Sequence, residues 1–210
     1  MPLFRGGIVL VDPNNGRPLR VIPLQYNPET LSRTLTIQGV GGDSGSHVDQ
    51  MRLKGPPVES IKFDAEIDAT DRLEKPAQNA NTVTYGIAPD IAALETIVYP
   101  SVTQLADADA RAQRGTLEII PMDAPLPLFV WGASKIVPVR VTEFSVVEEF
   151  FDDRLNPIRA KVSIGLRVLS IDDLRYASTG GGFYLAYQRR KELLAKMVGG
   201  SLGALGVSLP

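Results

Sequence analysis

The chain has no cysteine and a single histidine, His47, in 210 residues. The first absence excludes disulfides, thiolate nucleophiles and thiolate metal sites, and it leaves the redox compartment undetermined. The second excludes a multi-histidine metal centre and leaves a Ser-His-Asp arrangement one histidine to draw on. That residue sits in a glycine-rich stretch, where a solvated loop position is the simpler reading. Charge of one sign is also lacking, because 22 basic and 24 acidic residues give a formal charge of -2. Such a balance offers no general attraction for nucleic acid. Aromatic residues make up 7% of the chain. The apolar run "GIVLV" near the N-terminus is too short for a secretory core or a membrane span, and Asp12 follows it at once.

What is present is ordinary globular material, 44% hydrophobic and 22% charged, long enough to bury a core without disulfides or metals. Two segments alternate strictly and read as half-buried strands. In "IKFDAEIDA", Ile61, Phe63, Ala65, Ile67 and Ala69 oppose Lys62, Asp64, Glu66 and Asp68; in "RAKVSIGLRV", Ala160, Val162, Ile164, Leu166 and Val168 oppose Arg159, Lys161, Ser163, Gly165 and Arg167. Weaker strands are expected at Gly7 to Val11, Leu19 to Tyr26, Leu31 to Ile37, Thr116 to Ile120 and Leu128 to Trp131, separated by turn signals such as "DPNNG" and "LNP". The stretch from Pro125 to Leu169 reads as one long hairpin.

Between the two best strands, "APDIAALETIVYP" suits a helix with Pro89 in its first turn, Pro100 as its stop and an apolar stripe of Ile91, Leu94, Ile97 and Val98. One helix among many strands implies a mainly β fold, an antiparallel sandwich or barrel with a flanking helix. "STGGG" at 178 to 182 reads as a hinge, dividing a β domain at 1–177 from a C-terminal helix and tail at 178–210. The last residues are small and apolar, and are expected to be loose unless a neighbour orders them.

Candidates for chemistry are few. Asp64, Glu66 and Asp68 share one strand face and could be imagined as a general-acid or hard-metal site, but a solvated or subunit-facing edge explains them more simply. "GVGGDSG" is not a nucleotide-binding glycine motif in register, and "STGGGFYLAYQ" lacks the lysine of a P-loop, so no cofactor is expected. The terminal helix sets Arg189, Arg190 and Lys191 beside Phe183, Tyr184, Tyr187, Leu193, Leu194 and Met197, which favours docking on a protein neighbour over a membrane surface. The polar face of the first strong strand is mainly acidic and that of the second mainly basic, so the two either pair, across strands or across subunits, or stay solvated separately.

In order along the chain, "LQYNPETLSRTLT" at 24–36, "LKGPPVESIKFDAEIDATD" at 53–71, "LPLFVWG" at 126–132 and "VTEFSVVEEFFDDRLNPIRAKVSIGLRVL" at 141–169 resemble the tube-domain proteins of contractile injection systems, the family that includes bacterial phage-tail-like particles. The resemblance covers most of residues 1–175. It implies a tail-tube-like fold of two packed antiparallel sheets flanked by a helix, assembling without catalysis as a hexameric ring around a channel. Relatives with this start are baseplate or tube-initiation components near the spike hub, and many carry a LysM module that this chain lacks. Implied partners are the chain itself, the inner-tube protein, the spike or hub protein, and baseplate wedge or sheath proteins, with no nucleic acid and no direct membrane insertion. Assembly in the bacterial cytoplasm is expected, with the particle released or retained afterwards.

A ring subunit must show each neighbour a different surface. Phe144, Val146, Phe150, Phe151, Leu155, Ile158 and Arg159 of the long hairpin are the candidate subunit or inter-ring contacts, with Phe144 and Val146 equally readable as core. Phe183, Tyr187, Arg189, Arg190, Leu194 and Met197 are the candidate partner-docking residues of the terminal helix. Gln25 to Pro28 are expected to form a structural turn whose tyrosine caps the core, and Trp131 to pack inward. Other readings are a bulk inner-tube subunit, a small β-barrel binding oligonucleotide or carbohydrate, and a hydrolase using the three acidic residues.

Overall fold

The computed structural model describes residues 4–39, 53–113, 124–200, 204 and 206. Seven strands appear in them: β1 Gly7–Val11, β2 Pro18–Pro23, β3 Ser32–Thr36, β4 Val58–Asp68, β5 Leu126–Val130, β6 Ile136–Phe151 and β7 Pro157–Val168. Five helices accompany them: α1 Thr70–Leu73, α2 Ala80–Tyr85, α3 Ala88–Glu95, α4 Val102–Gln113 and α5 Thr179–Ala195. The fold is mainly β, and every strand pair is antiparallel.

The strands form one continuous sheet in the order β2-β1-β5-β6-β7-β4-β3, rather than the two separate sheets implied by the resemblance. β6 makes this possible because it serves both halves. Its first residues, Ile136 to Pro138, pair with β5, and Val139 to Phe151 pair with β7. The expected long hairpin is therefore a three-strand meander. The sheet also curls: strands lie roughly 5 Å apart, so on a flat sheet two intervening strands would keep Phe63 of β4 far from Phe129 of β5. Their rings instead stack with centroids 5.4 Å apart. The two halves thus close on a shared core that contains Ile8, Ile22, Ile61, Phe63, Val139, Val162 and Leu166.

The alternation of β4 and β7 does what the pattern requires, since Ile61, Phe63, Ala65 and Ile67 pair row by row with Leu166, Ile164, Val162 and Ala160 on the core side. β6 is less regular. The register shifts between Val141 and Glu143, leaving Thr142 as an extra residue, so inward positions change from Val137, Val139 and Val141 to Phe144 and Val146. Gly165 faces this bulge, where a Cβ would lie 2.8 Å from that of Glu143.

Several sequence expectations change. β2 stops at Pro23, β3 spans only Ser32–Thr36, and the helix at 88–100 ends at Glu95 with Ile91 and Leu94 buried but Val98 exposed. The short α1 and α2 were not expected, nor was α4, which buries no side chain and so carries no apolar stripe to read. The presumed hinge is not a hinge. Gly180 to Gly182 form the first turn of α5, with the Ser178 hydroxyl accepting from the Gly181 N–H at 3.0 Å. Close packing demands glycine at 181, where a Cβ would lie 2.4 Å from the Arg175 carbonyl oxygen, and Gly180 is tight as well, its Cβ position 2.9 Å from Leu174 Cδ1. Tyr184 and Tyr187 join the main core, so α5 belongs to the body and the division at residue 178 is corrected. His47 with its loop, the expected strand at 116–120 and most of the C-terminal tail lie outside the described residues.

Candidate assembly surface

The tip of the β6–β7 hairpin is built on Asp152. Its Oδ1 accepts from the N–H groups of Arg154 and Asn156 at 2.8 and 2.7 Å, and its Oδ2 accepts from Asn156 Nδ2 at 2.8 Å. These bonds, the Asn156 side chain first, hold the Asp152 carboxyl below its usual range. Asn156 Nδ2 also donates to the Thr84 carbonyl, and Pro157 and Ile158 accept from the N–H groups of Ile87 and Ala69. The tip is therefore fixed against the helical segment.

What this frame displays is apolar. Phe150 is 68% and Leu155 80% exposed, both with left-handed backbone at φ 54 and 64, and Phe151 and Val147 are exposed beside them. A left-handed non-glycine residue costs roughly 1 kcal/mol or more, which the surrounding bonds must overcome. Phe144, Val146 and Ile158 are partly buried and pack against the core. Arg159 is committed to its own outer face, 3.8 Å from both Glu66 and Asp68.

That outer face shows the acidic and basic strands paired with each other. Lys161 lies 3.0 Å from Asp64, and Lys62 lies 2.6 Å from Glu143, so the charges pair across strands within one molecule. Exposed pairs of this kind set register more than stability. The hydroxyl of Ser163 and then Lys161 hold the Asp64 carboxyl below its usual range, and bonds from Thr70 do the same for Asp68. A general acid needs the opposite shift. Among the described residues no cluster of three or more His, Cys, Asp or Glu is placed to hold a metal ion.

The terminal helix divides its nominated residues. Phe183 packs against Val11, Leu126 and Leu128. Tyr187 is buried, and its hydroxyl donates at 2.8 Å to Glu59, itself 3% exposed and 3.2 Å from Lys191 Nζ. Burial and this carboxylate push the Tyr187 phenol up to about 12. Arg189, Arg190, Leu194 and Met197 remain exposed, with Leu193 and Val198 beside them.

Sequence reasoning did not locate the open strand edges. Among the described residues, β6 from Val139 onward has no strand on the side away from β7, and β4 from Phe63 to Asp68 has none on the side away from β7, because β3 stops at the Ser32–Lys62 pair. The one exception is Gln25, whose Nε2 donates to the Asp68 carbonyl at 2.7 Å while its Oε1 accepts the Asp68 N–H at 3.1 Å. A side-chain amide stands there in place of a strand. Its neighbours continue the clasp: Asn27 bonds the Gly6 N–H and the Phe4 carbonyl, and the Tyr26 hydroxyl donates to Asp71 at 3.2 Å. Tyr26 is exposed, so it ties α1 to the turn and does not cap the core. Trp131 does pack inward, stacked 5.9 Å from Phe129.

No family model matches the chain, and no curated protein matches it significantly. Among solved structures, a chain described as "Tail of empty GTA particle computed with helical refinement, C6 symmetry" aligns with 12% identity over 78% of this chain and 90% of that chain, at a TM-score of 0.31. A chain from "Virion of native gene transfer agent (GTA) particle" aligns with 11% identity over 79% of this chain and 91% of that chain, also at 0.31. Likenesses at this score fix no role.

Proposed function

We propose that the chain is a non-catalytic structural subunit of a contractile, phage-tail-like particle, closing into a hexameric ring at the junction of inner tube, baseplate and spike hub. The observation that carries this is the pair of unlike open edges, β6 on one side of the β6-β7-β4 unit and β4 on the other. An open edge offers unpaired N–H and C=O groups to another strand. Laying β6 of one copy on β4 of the next is a heterologous contact, the kind that closes rings by rotation. The hexamer number and the contractile particle come from the sequence resemblance.

The exposed distal part of α5, with Arg189, Arg190, Leu194 and Met197, favours the junction over the bulk tube, because it offers a further surface for an unlike neighbour such as the tube, hub, wedge or sheath protein. Assembly then takes place in the bacterial cytoplasm. A nucleic-acid-binding barrel is disfavoured, since the exposed phenylalanines at 150 and 151 sit among four carboxylates, Glu148, Glu149, Asp152 and Asp153, against the single basic residue Arg154. Native mass determination of the purified chain, alone and with the tube and hub proteins encoded beside it, tests the proposal. A hexamer or a complex with six copies is the expected result; a monomer that ignores both partners would refute it.

A further inference from the structure

Between β2, the open edge of β4, α1 and α3 lies a cleft of about 450 Å³. Its apolar lining includes Leu24, Ala93 and Leu94, and Arg5 and Arg20 stand in its wall. Both arginines are exposed. Among the described residues Arg5 has no ion-pair partner, and Arg20 reaches only the Thr96 hydroxyl, at 2.7 Å. The other charged lining groups are already engaged, Arg72 with Asp90 at 2.8 Å, Asp71 with Tyr26, and Glu66 with Arg159. The cleft therefore combines an apolar floor, an unpaired strand edge and two uncommitted positive charges.

We infer that this cleft seats the β6–β7 hairpin tip of a second copy, with Phe150 and Phe151 on the apolar floor and the tip carboxylates against Arg5 and Arg20. The inference rests on the ring reading and names the receptor that reading lacks. The tip carries the complementary chemistry: exposed Phe150, Phe151 and Leu155, together with Glu148 and Asp153, which have no cationic partner among the described residues. Complementary charge of this sort sets register and partner choice.

The register of the sheet points to the same place. β6 and β4 both run antiparallel to β7, so they are parallel to each other, and Glu149 and Asp68 share one row through Arg159. In a ring whose copies stand at equal height, β6 of the neighbour laid along β4 therefore brings Ser145 to Glu148 beside Asp64 to Ile67, up to the point where the Gln25 amide takes over the edge at Asp68. Phe150 and Phe151 then fall just past Asp68. That is where Gln25, Tyr26, Asp71 and Arg72 border the cleft.

The absence of cysteine makes the test clean. Full-length Phe151→Cys and full-length Ala93→Cys are purified separately, mixed and oxidised, since a disulfide forms only where the Cβ atoms come within roughly 4 Å. The expected product is a disulfide-linked dimer containing one of each variant. As a second measurement, Arg20→Glu should weaken self-association about tenfold, and Glu148→Arg or Asp153→Arg in the same chain should restore it. If wild type forms six-copy assemblies but the mixture gives no 151–93 disulfide and Arg20→Glu associates normally, this inference is overturned while the ring stands. If no assembly forms under any condition, both fall together.

Discussion

Truncating Gln25 to alanine deletes two hydrogen bonds at once and leaves the Asp68 N–H and carbonyl without partners at the closing end of the curled sheet. Each bond contributes about 1 kcal/mol net, and stranding a partly buried backbone group adds to that, so the loss should reach about 2 to 4 kcal/mol. For a chain of this size each kcal/mol moves the midpoint by about 2 to 4 °C, so Tm should fall by roughly 5 to 15 °C. Gln25→Glu supplies the sharper contrast. A carboxylate still accepts from the Asp68 N–H, but it cannot donate to the Asp68 carbonyl and brings charge beside the Asp68 carboxylate. It should therefore be at least as damaging as alanine, although its size is almost unchanged. Thermal unfolding followed by circular dichroism reads both variants, and hydrogen exchange at the Asp68 amide localises the effect. A wild-type Tm for Gln25→Glu, or a fall under about 2 °C for Gln25→Ala, would refute the view that this amide replaces a strand.

Gly181→Ala, which would stabilise an exposed helix by about 1 kcal/mol, should instead destabilise by about 2 kcal/mol or more, because its Cβ would meet the Arg175 carbonyl; urea unfolding measures the sign. Tyr187 must stay protonated in the fold, so its contribution is full below pH 10.0 and disappears as pH rises through about 12. The interval corresponds to about 3 kcal/mol at most, and alkaline unfolding should be shallower in Tyr187→Phe, with identical curves as the refuting result. Phe150→Ser with Phe151→Ser should leave Tm within about 2 °C of wild type yet abolish self-association in native mass spectra, since both side chains are exposed.

The parts of the fold legible in the sequence are those governed by a single local rule. β4 from Ile61 to Ile67 and β7 from Ala160 to Val168 alternate, and every inward apolar position of these runs is buried, with Gly165 the outward residue that is buried too. In β6 the rule breaks at Thr142, where one extra residue reverses the parity of inward positions, and no local pattern reveals that until the partner strand is known. The glycines at 180 to 182 misled for a related reason. Composition reads them as freedom, whereas tertiary contact leaves no room for a side chain at Gly181. Of the nominated assembly residues, Phe150, Phe151 and Leu155 stand exposed, because a turn built on Asp152 holds them outward. Phe144 and Val146 were ambiguous by pattern alone, and the bulge decides them. The open edges and the cleft were illegible, since each is defined by where a neighbouring strand stops.

β6 spends its first three residues on β5 and the remainder on β7, so the two halves of the sheet share one unbroken length of backbone. Hydrogen bonds between antiparallel strands lie across the strand direction. A pull on the hairpin tip along that direction therefore draws β6 and β7 together and loads the β7–β4 and β6–β5 rungs in shear, instead of opening them one after another. The same backbone passes the tension directly into β5 and the opposite half of the sheet. In an assembly under load, such a subunit would behave as a tie rod, taking a jolt at one rim and spreading it through the whole body.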